Sequence, residues 1–271
     1  MATEPMSTIP VEGGRTAYRR MGSGRPLLVL NGLAATNADW DPAFLERLAS
    51  ANELVLPDSR GIGASTDDGA PFDVAKLARD AARVIESLDL APASVLGWSM
   101  GGFVAQALAV EHPADVDKLV LMSTDSGGAD APRADAAVLD QLTDTSRSPH
   151  EQARRLLAVL FPAEVAESIY RDFGDVVAQA RSELSPELVD RQVAAIDGWG
   201  RDGVAERLGE LDSPAFVLTG TEDRVIPSAN ARSLVDAIPG AWLAQFPGSG
   251  HAFMAQYPQA AANLINEFLA L

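Results

Sequence analysis

The sequence lacks cysteine altogether and contains very little histidine. Without cysteine there is no disulfide, no thiolate metal ligand and no cysteine nucleophile, and cysteine usage says nothing about the redox compartment. Histidine occurs three times in 271 residues, at His112, His150 and His251. Any mechanism that needs an imidazole base therefore has only three candidates.

Basic residues are scarce relative to acidic ones. The chain has 21 Lys and Arg against 38 Asp and Glu, a formal net charge of -17. Such a surface repels phosphate groups, so we expect neither nucleic acid nor an anionic membrane as a partner. Long apolar runs are also missing, since no stretch approaches the roughly 18 residues of a membrane span. The first residues lack the basic and then apolar pattern of a secretory signal, which makes a cytoplasmic location the expectation.

What the sequence does contain is a large apolar fraction, 47% of its residues, enough for one sizeable core. Short apolar runs suited to buried strands alternate with helical patterns. This alternation predicts an α/β fold with a mostly parallel sheet and helices on both of its faces. We expect a loose tail over 1–8, a hairpin at Glu12-Gly13-Gly14, and strands at 8–11, 15–21, 27–30, 53–56, 93–96, 118–122, 214–219 and 242–246. The helices that flank them are predicted at 39–49, 73–88, 102–111, 228–237 and 258–271.

Residues 127–210 form a stretch with helical patterns and no strand-like run. Ser148-Pro149-His150-Glu151 resembles a capping box, and Ser185-Pro186 opens a second helix with proline at its first position. Ligands bind at the carboxyl edge of parallel sheets. We therefore predict that this inserted segment (residues 127–210) is a helical cap, or lid, over that edge, and that residues 1–126 and 211–271 form the core domain.

The motif that organises the chain is Gly97-Trp98-Ser99-Met100-Gly101. An apolar strand enters it and a helical pattern leaves it, so the serine lies on a sharp turn between strand and helix. This context fits the nucleophile elbow Gly-x-Ser-x-Gly, in which small neighbours let the serine adopt a strained backbone conformation. The five-residue pattern alone also fits an ordinary turn before a helix. Its flanks, and the partners found downstream, favour a nucleophile.

A serine hydroxyl needs an adjacent base before it can attack a carbonyl. His251 is the best candidate, because it follows the last predicted strand in a Gly/Ser loop; as an alternative, it is an ordinary loop histidine. His112 precedes a proline at a helix end and His150 opens a helix, so we expect both to be structural or solvated. An acid that orients the imidazole is also required.

Five pieces of the chain resemble the α/β-hydrolase fold family, and together they span nearly its whole length. They are Asn31-Gly32, 58–65 (DSRGIGAS), 97–102 (GWSMGG), 220–227 (GTEDRVIP) and 248–251 (GSGH). The resemblance implies the α/β-hydrolase fold with an eight-stranded sheet and a Ser-Asp-His order of catalytic residues. The acid is then Asp223, directly after a strand. Asp125 remains a rival, because some relatives place the acid after the preceding strand.

The resemblance also implies an oxyanion hole formed by the backbone N–H groups of Leu33 and Met100. The family usually has histidine at the position of Asn31, so this chain departs from the pattern while keeping a hydrogen-bonding side chain. As substrate-binding residues we predict Asn31, Trp98 and Phe253, although core packing is the default for Phe253 as for Phe161, Trp199 and Met254. A phosphate-binding interpretation of 58–65 is weak because no Gly-Lys-Ser/Thr follows. We expect a turn held by Asp58 and Arg60 instead.

These residues predict a serine hydrolase of a small carboxylic ester or lactone that works through an acyl-enzyme on Ser99. We expect no metal and no cofactor, because histidine and carboxylates do not occur at ligand spacing. The same fold also supports carbon–carbon bond hydrolysis of diketones and cofactor-free perhydrolysis. A ligand sensor that keeps the triad and turns over slowly is the alternative from a different class. The expected partner is the small substrate, and a homodimer stays open.

Overall fold

The computed structural model describes residues 6–271. Its centre is an eight-stranded sheet in the order β1-β2-β4-β3-β5-β6-β7-β8. The strands are β1 (Ser7–Val11), β2 (Gly14–Gly22), β3 (Arg25–Leu30), β4 (Asn52–Pro57), β5 (Ala93–Trp98), β6 (Val116–Met122), β7 (Ala215–Gly220) and β8 (Trp242–Phe246). The pairings that involve β2 are antiparallel, and all pairings from β4 to β8 are parallel. The predicted α/β class, with a mostly parallel sheet, is confirmed.

Alternate residues of the central strands point to opposite faces of the sheet, and each face has its own core. Leu28 and Leu30 of β3 pack with one group of helices, while Leu27 and Val29 pack with the other. All four are buried. These strands therefore read as continuous apolar runs, which is why the sequence shows them so clearly.

Helices cover both faces of the sheet and follow the strands in chain order. Outside the inserted segment they are α1 (Pro42–Ala49), α2 (Val74–Ser87), α3 (Met100–Glu111), α8 (Ala229–Ala237), α9 (Phe253–Gln256) and α10 (Pro258–Ala270). Within it they are α4 (Ala136–Thr143), α5 (Pro149–Leu160), α6 (Ala163–Ser182) and α7 (Pro186–Asp202), followed by a 3-10 helix at Ala205–Glu210. The boundaries 127 and 210 of a separate cap domain stay a prediction.

Local signals explain where several helices begin. Asp73 accepts a hydrogen bond from Lys76 N at the start of α2, and Ser148 forms a capping box with Glu151 at α5. Ser185 caps α7 with Pro186 at its first position, as predicted. The predicted helix from Asp39 is wrong at its start: a 3-10 turn occupies Asn37–Asp39, and α1 begins only at Pro42, with Asp41 as its cap.

The N-terminal tail prediction is partly wrong and partly outside the described residues. Residues 1–5 are not described, whereas β1 begins at Ser7, one residue before the predicted strand start at Thr8; Ser7 and Thr8 pair with Tyr18 and Ala17 of β2. The hairpin between the two strands turns at the predicted glycines, because Val11 pairs with Gly14. Across residues 6–271, no helix combines the length and the apolar character that crossing a membrane requires.

Candidate active site

Ser99 lies at the carboxyl end of β5, one residue before α3 begins. Its backbone has φ 56°, in the left-handed region that a residue with a side chain rarely adopts. Three hydrogen bonds hold this conformation. Ser99 N donates to Met122 O at 2.9 Å, while Ser99 O accepts from Thr124 Oγ1 at 2.9 Å and from Gly102 N at 2.8 Å. The strain is therefore supported by the neighbouring strand, as expected where a side chain must be presented in a fixed place.

Glycines flank the turn because the chain passes too close to itself for side chains. A Cβ on Gly97 would lie 2.3 Å from Gly101 O, and a Cβ on Gly101 would lie 2.3 Å from Leu30 O. Either contact would force the backbone apart. The Gly-x-Ser-x-Gly pattern thus follows from close packing between β5, α3 and the end of β3.

His251 and Asp223 meet in loops that follow β8 and β7. The His251 Nδ1 atom lies 2.9 Å from Asp223 Oδ2 and 3.1 Å from Oδ1. Both side chains are buried, at 2% and 0% exposure. The Asp223 carboxylate also accepts hydrogen bonds from Val225 N and Ile226 N, each at 2.9 Å. These backbone donors fix the carboxylate, and the carboxylate in turn orients the imidazole ring.

The two loops are packed backbone to backbone. Glu222 N donates to Ser249 O at 2.8 Å, and a Cβ on Gly220 would lie 2.3 Å from that same oxygen. The contact between His251 and Asp223 is thus built into the ends of two paired strands.

An indole side chain connects the serine turn to the histidine loop. Trp98, the residue before Ser99, donates from Nε1 to His251 O at 3.1 Å, and its ring lies 5.5 Å from the imidazole. Trp40 also packs against Trp98, with ring centroids 5.8 Å apart. Among the hydrogen bonds of residues 6–271, none joins His251 Nε2 to Ser99 Oγ. Such bonds are often long without substrate and shorten in the reacting complex.

The loop after β3 also packs against the serine. In this Asn31 loop (residues 31–36), a Cβ on Gly32 would lie 3.3 Å from Ser99 Cβ. Asn31 Nδ2 donates to Thr36 O at 2.7 Å and so closes the loop. Within residues 6–271 the N–H groups of Leu33 and Met100 donate to no protein acceptor. Two N–H donors are therefore free beside the serine turn.

The predicted substrate-binding residues have contacts of different kinds. Trp98 is half-buried beside His251, whereas Asn31 is buried and holds its own loop. Phe253 is fully buried and stacks on Phe246 with ring centroids 4.7 Å apart, as a core residue does. A substrate contact for these three residues stays a prediction.

Asp125, the rival acid, has other partners. Its Oδ1 accepts from Gly127 N at 2.7 Å and from Trp199 Nε1 at 3.1 Å. Burial raises the pKa of this carboxyl above its ordinary value, and these hydrogen bonds lower it only in part. Asp125 thus holds α7 to the end of β6, and His251 is not among its partners in the described chain.

The turn at 58–65 holds the 3-10 turn that follows the Asn31 loop, and it also holds α2. Asp58 accepts from Asn37 N at 3.0 Å and from Ala64 N at 3.3 Å, while Arg60 forms a buried ion pair with Asp80 of α2 at 2.8 Å. Burial is the main reason why the pKa values of Asp58 and Asp80 are raised. Asp58 and Arg60 do not contact each other in these bonds. Asp58 binds backbone N–H groups of the turn and of Asn37, and Arg60 binds the carboxylate of α2.

The remaining histidines and four arginines of the inserted segment are partly or largely exposed. His112 and His150 have side-chain exposures of 36% and 60%. Four arginines bond to backbone oxygens or carboxylates of their own segment: Arg133, Arg147, Arg154 and Arg155. The part of the chain that the structure describes contains no cluster of three His, Asp or Glu suited to a metal.

Two buried residues of the inserted segment were missed by the sequence reasoning. Gln192 of α7 is 0% exposed and accepts a hydrogen bond from Ala34 N at 2.8 Å. Arg181 of α6 is 8% exposed, yet it forms no ion pair or hydrogen bond within residues 6–271, and its buried Nε has no acceptor; Asp39 is the acid that acts on it from a distance. Desolvation lowers its pKa. The burial of Gln192 could have been predicted from helical spacing, because Gln192 lies on the same face of α7 as the apolar residues Val189, Ala195 and Trp199.

Known proteins with similar sequences and structures cover almost the whole chain. A poly(3-hydroxyalkanoate) depolymerase of Ectopseudomonas oleovorans is 29% identical over 256 residues, which are 90% of this chain and 84% of the relative. The crystal structure of an esterase from Rhodococcus sp. ECU1013 matches with a TM-score of 0.83 at 25% identity, covering 98% of each chain. An enol-lactonase from Burkholderia xenovorans LB400 matches with a TM-score of 0.85 at 22% identity, covering 98% of this chain and 100% of the other, which shows a shared fold.

The family model described as the alpha/beta hydrolase fold matches residues 25–256. This span begins at β3 and includes both the serine turn and the His251–Asp223 contact. The sheet order, the strand–serine–helix turn and this match agree with one another. The chain belongs to the α/β-hydrolase fold family.

Proposed function

We propose that this enzyme of the α/β-hydrolase superfamily cleaves a small carboxylic ester or lactone through an acyl-enzyme on Ser99. His251 acts as the base, Asp223 orients it, and the N–H groups of Leu33 and Met100 form the oxyanion hole. The observation that carries the proposal is the buried contact between His251 and Asp223. Trp98 binds the backbone of His251 and directly precedes Ser99, whose backbone is in the left-handed region. Relatives named as an esterase and a depolymerase support the choice of reaction.

The proposed reaction has two halves. With Nδ1–H donating to Asp223, the free electron pair of His251 lies on Nε2, which takes the proton of Ser99 Oγ as that oxygen attacks the carbonyl carbon. The carbonyl oxygen becomes negative and accepts from Leu33 N–H and Met100 N–H. The tetrahedral intermediate collapses, His251 protonates the leaving alkoxide, and the acyl group stays on Ser99. His251 then removes a proton from water, which attacks the acyl carbon. The second tetrahedral intermediate breaks its bond to Ser99 Oγ, His251 returns the proton to that oxygen, and the acid is released.

The first experiment is the release of p-nitrophenol from esters of acetate through octanoate by the wild type and by Ser99→Ala. We expect turnover by the wild type, with a preferred chain length, and loss of at least about 10³-fold in the variant. A Ser99→Ala variant as active as the wild type would overturn the proposal.

A fluorophosphonate probe separates the alternatives if no ester is turned over. Labelling of Ser99 without ester turnover would move lactones, carbon–carbon bond hydrolysis, perhydrolysis or a slow ligand sensor ahead of the simple ester. A sensor would retain its ligand after a single turnover, whereas an enzyme would release product repeatedly.

Two further expectations belong to the same proposal. The small substrate is the expected partner, and the location is expected to be cytoplasmic. A homodimer stays open, and sedimentation velocity at micromolar concentration distinguishes one chain from two.

A further inference from the structure

β8 is an edge strand of the sheet, and in the described residues it pairs only with β7. Phe246 O accepts a hydrogen bond from Thr221 N at 3.0 Å, so the backbone N–H and C=O groups of Phe246 point toward β7. Because this direction alternates along a strand, the same groups of Leu243 and Gln245 point away from the sheet. The open edge therefore presents N–H donors and C=O acceptors that another strand can bond.

Large apolar side chains lie beside this edge on both faces of the sheet. Trp242 is 52% exposed and packs on Phe268 of α10, with ring centroids 5.8 Å apart. Leu264, one turn earlier in α10, is 45% exposed, and Leu243 is 38% exposed on the face of the sheet opposite to Trp242. We call β8 together with Leu264 the β8 patch. An exposed apolar surface of this kind marks an interaction site.

The chain that forms the β8 patch carries no charge. No Lys, Arg, Asp or Glu occurs from Ala237 to Asn266, although the net charge of the whole chain is -17. Two copies repel each other over most of their acidic surface, and this stretch adds no such repulsion. A basic partner would find no carboxylate in it to pair with. The missing charge thus favours a second copy of the chain over a cationic macromolecule.

The other edge of the sheet, β1, has features that oppose pairing. Pro10 lies within β1 and has no N–H to donate. Glu12 directly follows the strand and forms an ion pair with Lys76. Proline and charge are common means by which natural edge strands avoid edge-to-edge contact. The five residues of β8 contain neither.

We propose that β8 pairs antiparallel with β8 of a second copy of this chain, forming a homodimer with a two-fold axis at Ala244. In this register Leu243 lies opposite Gln245 of the second copy, and the two residues exchange both N–H···O=C bonds. The symmetry repeats this pair, and the two sheets become one. Pro247 directly follows Phe246 and ends the strand, so the register centred on Ala244 uses the full length of β8.

The absence of cysteine makes this register directly testable. Ala244→Cys places two thiols opposite each other at a non-hydrogen-bonded position, where Cα atoms are about 4.5 Å apart, within the range of a disulfide. Ala241→Cys is the matched control, because Ala241 is half-buried like Ala244. It lies three positions before the axis on each copy, so its two thiols are about 20 Å apart.

Under mild oxidation with diamide, we expect Ala244→Cys to form a disulfide-linked dimer at least about tenfold faster than Ala241→Cys, because only its thiols are within bonding reach. Non-reducing gel electrophoresis measures both rates. Equal crosslinking of the two variants, or no crosslinking of Ala244→Cys, overturns the proposal.

Sedimentation velocity of the wild type between about 1 and 100 µM measures the association without crosslinks. We expect a reversible dimer with a Kd on the order of 10 µM, since a short strand and a few side chains form a small interface. Gln245→Pro removes an outward N–H and keeps the bonds to β7, while Leu264→Glu adds a charge to the uncharged patch. Each should raise the Kd at least about tenfold.

Each variant has a matched control. Gln245→Thr keeps the backbone N–H, and Leu139→Glu adds the same charge at a position of α4 that is 44% exposed. Neither control should change the Kd by more than about twofold. Thermal melting shows whether each variant is folded; if Gln245→Pro is not, Leu264→Glu and the crosslink decide.

The outcomes that contradict the β8 dimer are equally defined. A wild type that stays monomeric at about 100 µM overturns it, since even a small specific interface should associate at that concentration. A dimer that is unchanged in both Gln245→Pro and Leu264→Glu overturns it as well. Loss of the dimer in Leu139→Glu alone would place the contact on the inserted segment instead. None of these measurements depends on the reaction of Ser99.

Discussion

Two buried aspartates follow neighbouring strands, and their partners differ completely. Asp223, after β7, contacts His251 and two backbone N–H groups. Asp125, after β6, contacts Gly127 N–H and the indole of Trp199 in α7. The two strands pair directly, so both carboxylates lie at one edge of the sheet. A position at the end of a strand therefore does not determine the role of an aspartate. The role depends on which neighbouring segment supplies its hydrogen-bond partner.

The largest expected effect is on kcat, which should fall when Asp223 is replaced and stay nearly unchanged when Asp125 is replaced. Asp223→Asn should lower kcat for an ester by about 10³-fold or more, because the imidazole loses the carboxylate that fixes its tautomer. Asp125→Asn should change kcat by less than about threefold, since its hydrogen bonds serve the attachment of α7. Steady-state kinetics on p-nitrophenyl butyrate measure both. The reverse ranking would assign Asp125 as the acid.

A second change tests whether Asp125 attaches the inserted segment. Trp199→Phe keeps the stacking on Phe103, whose ring lies 5.2 Å away, and removes the indole N–H. The free energy of unfolding in urea should fall by about 1–3 kcal/mol, because the Asp125 carboxylate is left with one donor. Trp242→Phe is the control, since Trp242 is half exposed and its replacement should cost less than about 0.5 kcal/mol. Equal losses would mean that the hydrogen bond to Asp125 contributes nothing.

Arg181 provides a contrast with the paired Arg60 on the core side. Arg60 is buried in an ion pair with Asp80, whereas Arg181 is buried without an ion pair or hydrogen bond among residues 6–271, and the more distant charge of Asp39 offsets its desolvation only in part. Arg181→Met should raise the free energy of unfolding by on the order of 1 kcal/mol, because a desolvated charge is replaced by an apolar side chain of similar length. Arg171→Met, at an exposed position of α6, should leave it unchanged. Destabilisation by Arg181→Met would show that the guanidinium has a stabilising partner.

The smallest expected effect is a pH dependence that belongs to Asp125. Burial raises its pKa, so the native state binds this proton more tightly than the unfolded chain does. The resulting stability is complete below the unfolded pKa of about 3.9 and is lost as the pH rises through the native pKa. Asp125→Asn does not titrate, so urea unfolding from acidic to neutral pH should show the wild type losing stability relative to the variant. A difference that stays constant with pH would contradict this assignment.

Sequence reasoning predicted the parts of the fold that depend on local patterns. The strands appear as apolar runs because both faces of the sheet are buried, and the helix starts appear through Asp73, Ser148 and Ser185. The predicted start of α1 was wrong because the helix begins at Pro42, which is favoured at a first helical position, with Asp41 as its N-cap. The apolar spacing upstream of Pro42 does not extend the helix.

Within the site, the sequence indicated residues that carry recognisable spacing, and it missed those defined by tertiary packing. Gly97, Ser99 and Gly101 indicate a sharp turn, and His251 is one of only three histidines. Nothing local tells a buried Gln192 from an exposed glutamine, since its burial depends on how α7 meets the Asn31 loop. The partner of Asp125 likewise comes from a residue 74 positions away.

The hydrogen bond from Trp98 to the backbone of His251 has a consequence for engineering the substrate range. Trp98 is half-buried beside His251, and it is one of the proposed substrate-binding residues. Yet the same ring carries the N–H that holds the histidine loop at 3.1 Å. A smaller side chain at this position would therefore change the proposed acyl pocket and would also remove the hydrogen bond that holds the loop of the proposed base.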